Sequence, residues 1–176
     1  MAQWKKVILS VFLIALALFI DGSVVLNAPQ LLNTRLGQIV PHLTTIMLIT
    51  LSYYFDETYM QLFALVVGFI KDSYYVGFLG IYMVGFFAMI YIIRQVQSFF
   101  NEQFIVYVLL GILGIFLIEN FAYFIYNMLS ITQMDWATFY IKRLGITLFV
   151  NSALTVIVTF LIDKLFLHLK ATEFKL

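Results

Sequence analysis

Gly68-Phe69-Ile70-Lys71-Asp72-Ser73-Tyr74-Tyr75-Val76-Gly77-Phe78-Leu79-Gly80 joins two apolar segments and sets two opposite charges side by side between them. Stepping back from Asp72 by four gives Gly68 and then Ala64, one helical face on which two small residues lead up to a carboxylate. Small residues admit a close neighbouring backbone, and an acid beside hydrocarbon needs a partner. Gly77 and Gly80 then supply a turn, so the stretch predicts a helical hairpin with an acid at its bend.

The surroundings decide what kind of hairpin this is. Hydrophobic residues make up 64% of the 176 positions and charged residues only 11%, against roughly 25% in soluble domains. Apolar runs separated by short polar clusters predict an all-α polytopic membrane protein, one integral membrane domain over 1–176. With no cysteine there are no disulfides, thiolate metal sites or cysteine nucleophiles, and a net charge of +1 excludes a basic nucleic-acid binder.

Six spans are expected, at about 7–26, 40–55, 59–76, 79–93, 104–129 and 138–162. The basic start at Lys5 and Lys6 is followed by no small-x-small cleavage site, so the first run reads as a retained helix. Residues 27–41 hold both prolines, Pro29 and Pro41, and read as an external loop. Leu43 to Phe55 is short for a span. Adding Leu36 to His42 restores the length, with Pro41 in the first turn or at a kink. An N-terminus inside places Lys5, Lys6, Arg94, Lys164, Lys170 and Lys175 on the inner side against Arg35, Lys71, Lys142 and Arg143 outside. Both termini are therefore expected in the cytoplasm.

Asp21, Asp72, Glu119 and Asp163 lie in or near apolar sequence, where a charge at mid-bilayer costs about 3 kcal/mol even on a lenient scale. Pairing with Lys71, Arg143 or helix-end amides would make them fixtures of packing. Asp21 and Asp163, near helix ends, read that way, and so does Asp72. Glu119 is the deepest and stays open between packing and function. Arg143, Thr147, Asn151, Thr155, Thr159 and Asp163 step by four along the last span and read as a contact surface rather than the lining of a permeation path. Gly77, Gly85, Glu119, Asn120 and Asn151 are candidate helix-packing or partner-contact positions. Tyr53, Tyr54, Tyr74, Tyr75 and Trp136 read as interface anchors.

No catalytic spacing is present. There is no triad arrangement, no phosphate loop and no His-x-x-x-His or Glu-x-x-His pattern, and His42 and His168 stand far apart. Catalytic residues, metal ligands and cofactor-binding residues are all expected to be none.

Pro41-His42-Leu43, Asp56-Glu57, Gly68-Phe-Ile-Lys-Asp72 and Gly77-Phe-Leu-Gly80-Ile-Tyr resemble the MreD family of bacterial rod-shape-determining membrane proteins. In that family a Gly-x-x-x-Asp closing one span precedes an aromatic stretch and a Leu-Gly-(Ile/Leu) start to the next. Gly68 and Asp72 match the first part, and Leu79, Gly80 and Ile81 the second. The chain departs from the pattern at Lys71, before the acid, and at His42, where many members carry an acid. The resemblance implies a non-catalytic bacterial plasma-membrane scaffold of cell elongation and peripheral peptidoglycan synthesis. Its implied partners are an MreC-type single-span protein and, beyond it, a RodA-type glycosyltransferase and a class B penicillin-binding protein. The lipid bilayer and a second copy of the chain complete the candidate partners. The six-helix bundle is also similar to the substrate-binding subunits of energy-coupling-factor transporters, which gives the alternative, a vitamin-binding subunit. Against that alternative, the first helix has Ala15-Leu-Ala17 and no Ala-x-x-x-Ala docking surface.

Overall fold

The computed structural model describes residues 2–101 and 103–173, with the side chains of 2, 3, 5, 76 and 167–173 left aside. Glu102 and Lys175, and the side chains of Lys5, His168 and Lys170, lie outside the described residues. Among the described residues the chain is helical, without β-strands; an isolated bridge joins Asn33 and Gln38.

The elements run α1 (Ala2–Asn27), α2 (Pro29–Leu32), α3 (Leu43–Ser52), α4 (Glu57–Lys71), α5 (Ile81–Gln97), α6 (Phe104–Met128), α7 (Trp136–Phe139) and α8 (Gly145–Glu173). A π-helical turn, Asp72–Val76, extends α4, and another, Tyr140–Leu144, fuses α7 to α8. Three stretches are long and apolar enough to cross a membrane: Lys6–Asn27, Phe104–Met128 and Trp136–Phe166. Their outward residues include Phe12, Phe19, Phe149, Ile157 and Phe160, all exposed. Only hydrocarbon removes that much apolar surface from water without a covering protein layer.

The short helix α3 occupies the centre. Eight of its ten residues are buried, and α1, α4, α5, α6 and α8 all touch it. A helix apolar nearly all round belongs inside a bundle. Leu48, Ile49 and Leu51 pack with Ile14 of α1, Met89 and Ile90 of α5 and Ile118 of α6 in one core.

Two sequence expectations change here. Residues 36–42 do not lengthen α3: they run without helix, and α3 starts only at Leu43. Leu36 is exposed and residues 39–41 are only half-buried, so their apolar character marks neither a helix nor a core segment. The last helix, expected to close near 162, continues to Glu173.

The opening hairpin forms between α4 and α5. Gly77 (φ +76°) and Gly80 (φ +106°) adopt the left-handed backbone that side chains resist. Gly68 serves a different purpose: a Cβ placed there would lie 2.5 Å from Met83 Cα and from the Tyr82 carbonyl oxygen. Backbone cannot give way as a side chain can, so α4 and α5 approach closely only because position 68 is glycine.

These two requirements separate experimentally. Gly68→Leu should disrupt the α4–α5 contact and cost more than the 1–3 kcal/mol, roughly, of ordinary overpacking. Gly80→Ala, which meets open space but keeps a disfavoured φ, should cost about 1–2 kcal/mol. Thermal unfolding in detergent, followed by circular dichroism, measures both, and equal losses would contradict the distinction.

Candidate functional site

Residues 38–42 run without helix from exposed Gln38 through half-buried 39–41 to buried His42, and backbone of this kind inside a membrane protein needs its partners from protein. The polar ladder of the last helix provides them. Gln38 N–H donates to the Lys142 carbonyl (2.7 Å), and Val40 N–H to Thr147 Oγ1 (3.1 Å). The Asn151 amide reads both sides of the strip: Oδ1 accepts from His42 N–H (2.9 Å) and Nδ2 donates to the Val40 carbonyl (2.7 Å).

Further along, the ladder follows α3 itself. Thr155 lays its methyl against Gly111 of α6, Thr159 meets Thr50 (3.3 Å), and Asp163 accepts from the Tyr54 hydroxyl (2.7 Å). Thr147, Asn151, Thr155 and Thr159 are all buried. Thr147, Asn151, Thr159 and Asp163 thus form a seam against residues 38–54, while Arg143 and Thr155 turn to α6.

At the head of the seam three groups from three elements converge. Glu119 of α6, 1% exposed, accepts from Arg143 Nε at 3.0 Å through Oε2. Its Oε1 lies 2.8 Å from His42 Nε2. His42, fully buried, turns Nδ1 to Thr45 Oγ1 at 3.2 Å. With Nε2–H given to the carboxylate, a neutral imidazole accepts at Nδ1 from the Thr45 hydroxyl. Both oxygens of Glu119 are occupied, so the arrangement ties α6, the head of α3 and the start of the last helix together.

Two more acids act as helix caps supplied from another element. His42 is the residue before α3 but makes no side-chain cap. Asp21 of α1 takes that role, accepting from Leu43 N–H (3.0 Å), Thr44 N–H (2.8 Å) and the Thr44 hydroxyl (2.7 Å). Asp72 does the same for α5, accepting from the N–H groups of Gly80 (2.9 Å), Tyr82 (2.9 Å) and Met83 (3.1 Å). Free N–H groups and the positive end of the helix dipole make a helix start a good site for a carboxylate. Lys71 is not the partner of Asp72. Its Nζ stands over the Tyr82 ring, 4.2 Å from the centroid, and forms no ion pair among the described residues.

The other singled-out residues fall elsewhere. Gly85 faces Ile118 and Phe121 of α6, and Asn120 is an outward residue whose Oδ1 accepts from the Tyr140 hydroxyl (2.8 Å). Tyr74 and Trp136 are exposed at helix ends, whereas Tyr53 and Tyr54 are half-buried and stack on Tyr107 and Phe166. Sequence reasoning missed His42. Its signal was its position, the residue just before a buried apolar run. Its partner lies 77 residues away, beyond any local pattern. Among the described residues no cluster of three or more His, Cys, Asp or Glu side chains could hold a metal ion.

With this geometry in place, comparison with known proteins is informative. The family described as rod shape-determining protein MreD matches residues 5–169. The rod shape-determining protein MreD of Bacillus subtilis (strain 168) is 24% identical over 132 residues, covering 75% of this chain and 77% of its own length. No solved structure matches the chain, so the similarity to energy-coupling-factor subunits carries no argument.

The buried carboxylate gives a quantitative expectation. Glu119→Leu should cost about 3–5 kcal/mol, because Arg143 is left without its counter-charge and His42 Nε2–H without its acceptor. Adding Arg143→Met should recover part of that loss, giving a coupling of about 1–3 kcal/mol in a double-mutant cycle of unfolding free energies. Strict additivity would show that the pair is not coupled.

Proposed function

Because the chain belongs to the MreD family of rod shape-determining proteins, we propose that it is a non-catalytic membrane scaffold of the cell-elongation and peripheral peptidoglycan synthesis machinery. In this reading it binds an MreC-type single-span protein and through it organises a RodA-type glycosyltransferase and a class B penicillin-binding protein. It crosses the bacterial plasma membrane six times, with both termini in the cytoplasm.

The observation that carries the non-catalytic reading is the use made of the buried acids. Glu119, Asp21 and Asp72 have their oxygens taken by side chains or backbone amides of neighbouring elements. A general acid or base must instead present its carboxyl to a substrate. Charges committed to joining helices suit a rigid body whose outer face is read by other membrane proteins. Six spans fit the succession of α1, α3, α4, α5, α6 and α8, although α3 alone is only about 15 Å long. Its non-helical lead-in, residues 38–42, makes up part of the missing depth, with its backbone bonded to Thr147 and Asn151 as non-helical backbone in a membrane requires.

Co-expression with the single-span partner from the same genome tests the reading. The two chains should co-purify in mild detergent. Photo-crosslinkers placed in turn at exposed Leu62, Val66, Phe69, Phe149 and Phe160 should capture the partner from one continuous face. Depletion of the chain should cost the cells their control of width. Absence of both co-purification and a shape defect would rule the scaffold out.

A further inference from the structure

Beside the Glu119 cluster lies a half-open cavity of about 310 Å³, walled by α1, the strip 38–41, the end of α4, the start of α5 and the last two long helices. Its size falls at the lower end of small-molecule sites. Its charged side chains are Lys71, Arg143 and Asp21, and its other polar side chains, Gln38, Tyr75, Tyr82 and Tyr126, can donate as well as accept.

Lys71 lines this space and is 9% exposed, yet its ammonium group has no hydrogen bond or ion pair among the described residues. Among the described residues no fully enclosed side-chain nitrogen or oxygen lacks a partner, so the Lys71 Nζ is not fully enclosed, and the cavity is the space that Lys71 lines. The rings of Tyr82 and Phe86, 4.2 and 5.4 Å away, offset part of the cost of a buried cation but accept none of its three N–H bonds. Arg143 borders the same space, using Nε on Glu119, and its two terminal amino groups make no hydrogen bond among the described residues. Tyr82 and Tyr126 line the cavity, and their hydroxyls make no hydrogen bond among the described residues. Asp21 is the single carboxylate on the wall, and three donors from α3 already occupy it.

Two cations with unused N–H bonds, facing a space whose one lining carboxylate is already occupied, call for an anion. The donor count exceeds what the two oxygens of a carboxylate can accept, and suits the three terminal oxygens of a phosphate monoester. The lining also includes the apolar side chains of Leu18, Val25, Leu26 and Ile39. Val25 and Leu26 are also exposed on the outer surface, 47% and 71%, so the opening has a greasy lip.

We propose that this cavity binds a phosphate-headed amphiphile, its head on Lys71 and Arg143 and its chain along Leu18, Val25 and Leu26. The phosphate belongs either to a bilayer lipid or to a soluble phosphate ester with an apolar tail.

The test uses the purified full-length protein in phosphatidylcholine nanodiscs, with radiolabelled dodecyl phosphate as probe. One equivalent should bind, and Lys71→Met should weaken binding at least tenfold without lowering the unfolding temperature, since it replaces a buried charge by an apolar chain of similar length. Val25→Trp, which fills the apolar side, should weaken it as well and decides the matter should Lys71→Met not fold. Inorganic phosphate should compete only at far higher concentration. Competition by phosphatidylglycerol added to the nanodiscs would assign the site to a bilayer lipid; absence of that competition would assign it to a soluble ester. Unchanged binding in folded Lys71→Met, or equal competition by uncharged dodecyl maltoside, would overturn the proposal.

Discussion

A ten-residue helix at the centre of a bundle leaves both of its ends buried, and an α-helix cannot satisfy its first four N–H groups or its last four carbonyls by itself. In α3 that debt is met from outside. At the amino end Asp21 of α1 accepts from Leu43 and Thr44, and at the carboxyl end Arg94 of α5 donates to the Ser52 carbonyl at 2.9 Å. A negative charge thus faces the positive pole of the helix dipole and a positive charge the negative pole. The neighbours α1 and α5 are held in place by the same contacts, so the position of α3 determines much of the bundle.

The same logic recurs at α5, where Asp72 replaces a local cap, and along the last helix, where Thr147 and Asn151 bond to backbone that has no helix of its own. Polar side chains in apolar sequence are here the substitutes for water at broken backbone. Each interhelical hydrogen bond of this kind is worth only about 0.6 kcal/mol on average, but each unsatisfied group would cost several. Their value lies in what they prevent, which explains why so many gather around residues 38–44.

Much of this was legible in sequence for identifiable reasons. The apolar runs located the long helices because membrane burial acts on every residue of a span. Gly68, Asp72, Gly77 and Gly80 announced a tight hairpin because each constraint is local. The ladder from Arg143 to Asp163 was visible because four-residue spacing survives in any helix. Residues 36–42 misled because hydropathy says nothing of dihedral angles. His42 was unreadable because Glu119 reaches it only once α3 and α6 have packed. Lys71 beside Asp72 suggested an ion pair by adjacency, yet successive helical residues point about 100° apart, and the amides of α5 lay closer to the acid.

The reliance of residues 38–42 on Thr147 and Asn151 also constrains biosynthesis. A growing chain emerges amino end first. The strip that leads into α3 is therefore made more than a hundred residues before the side chains that complete its hydrogen bonds. Until the last helix enters, this strip has to remain where water can serve it, and α3 cannot settle at its final depth. Entry of α8 is therefore what closes the bundle, because a chain halted before Asn151 leaves the strip with unpaired backbone and α3 without its final seat.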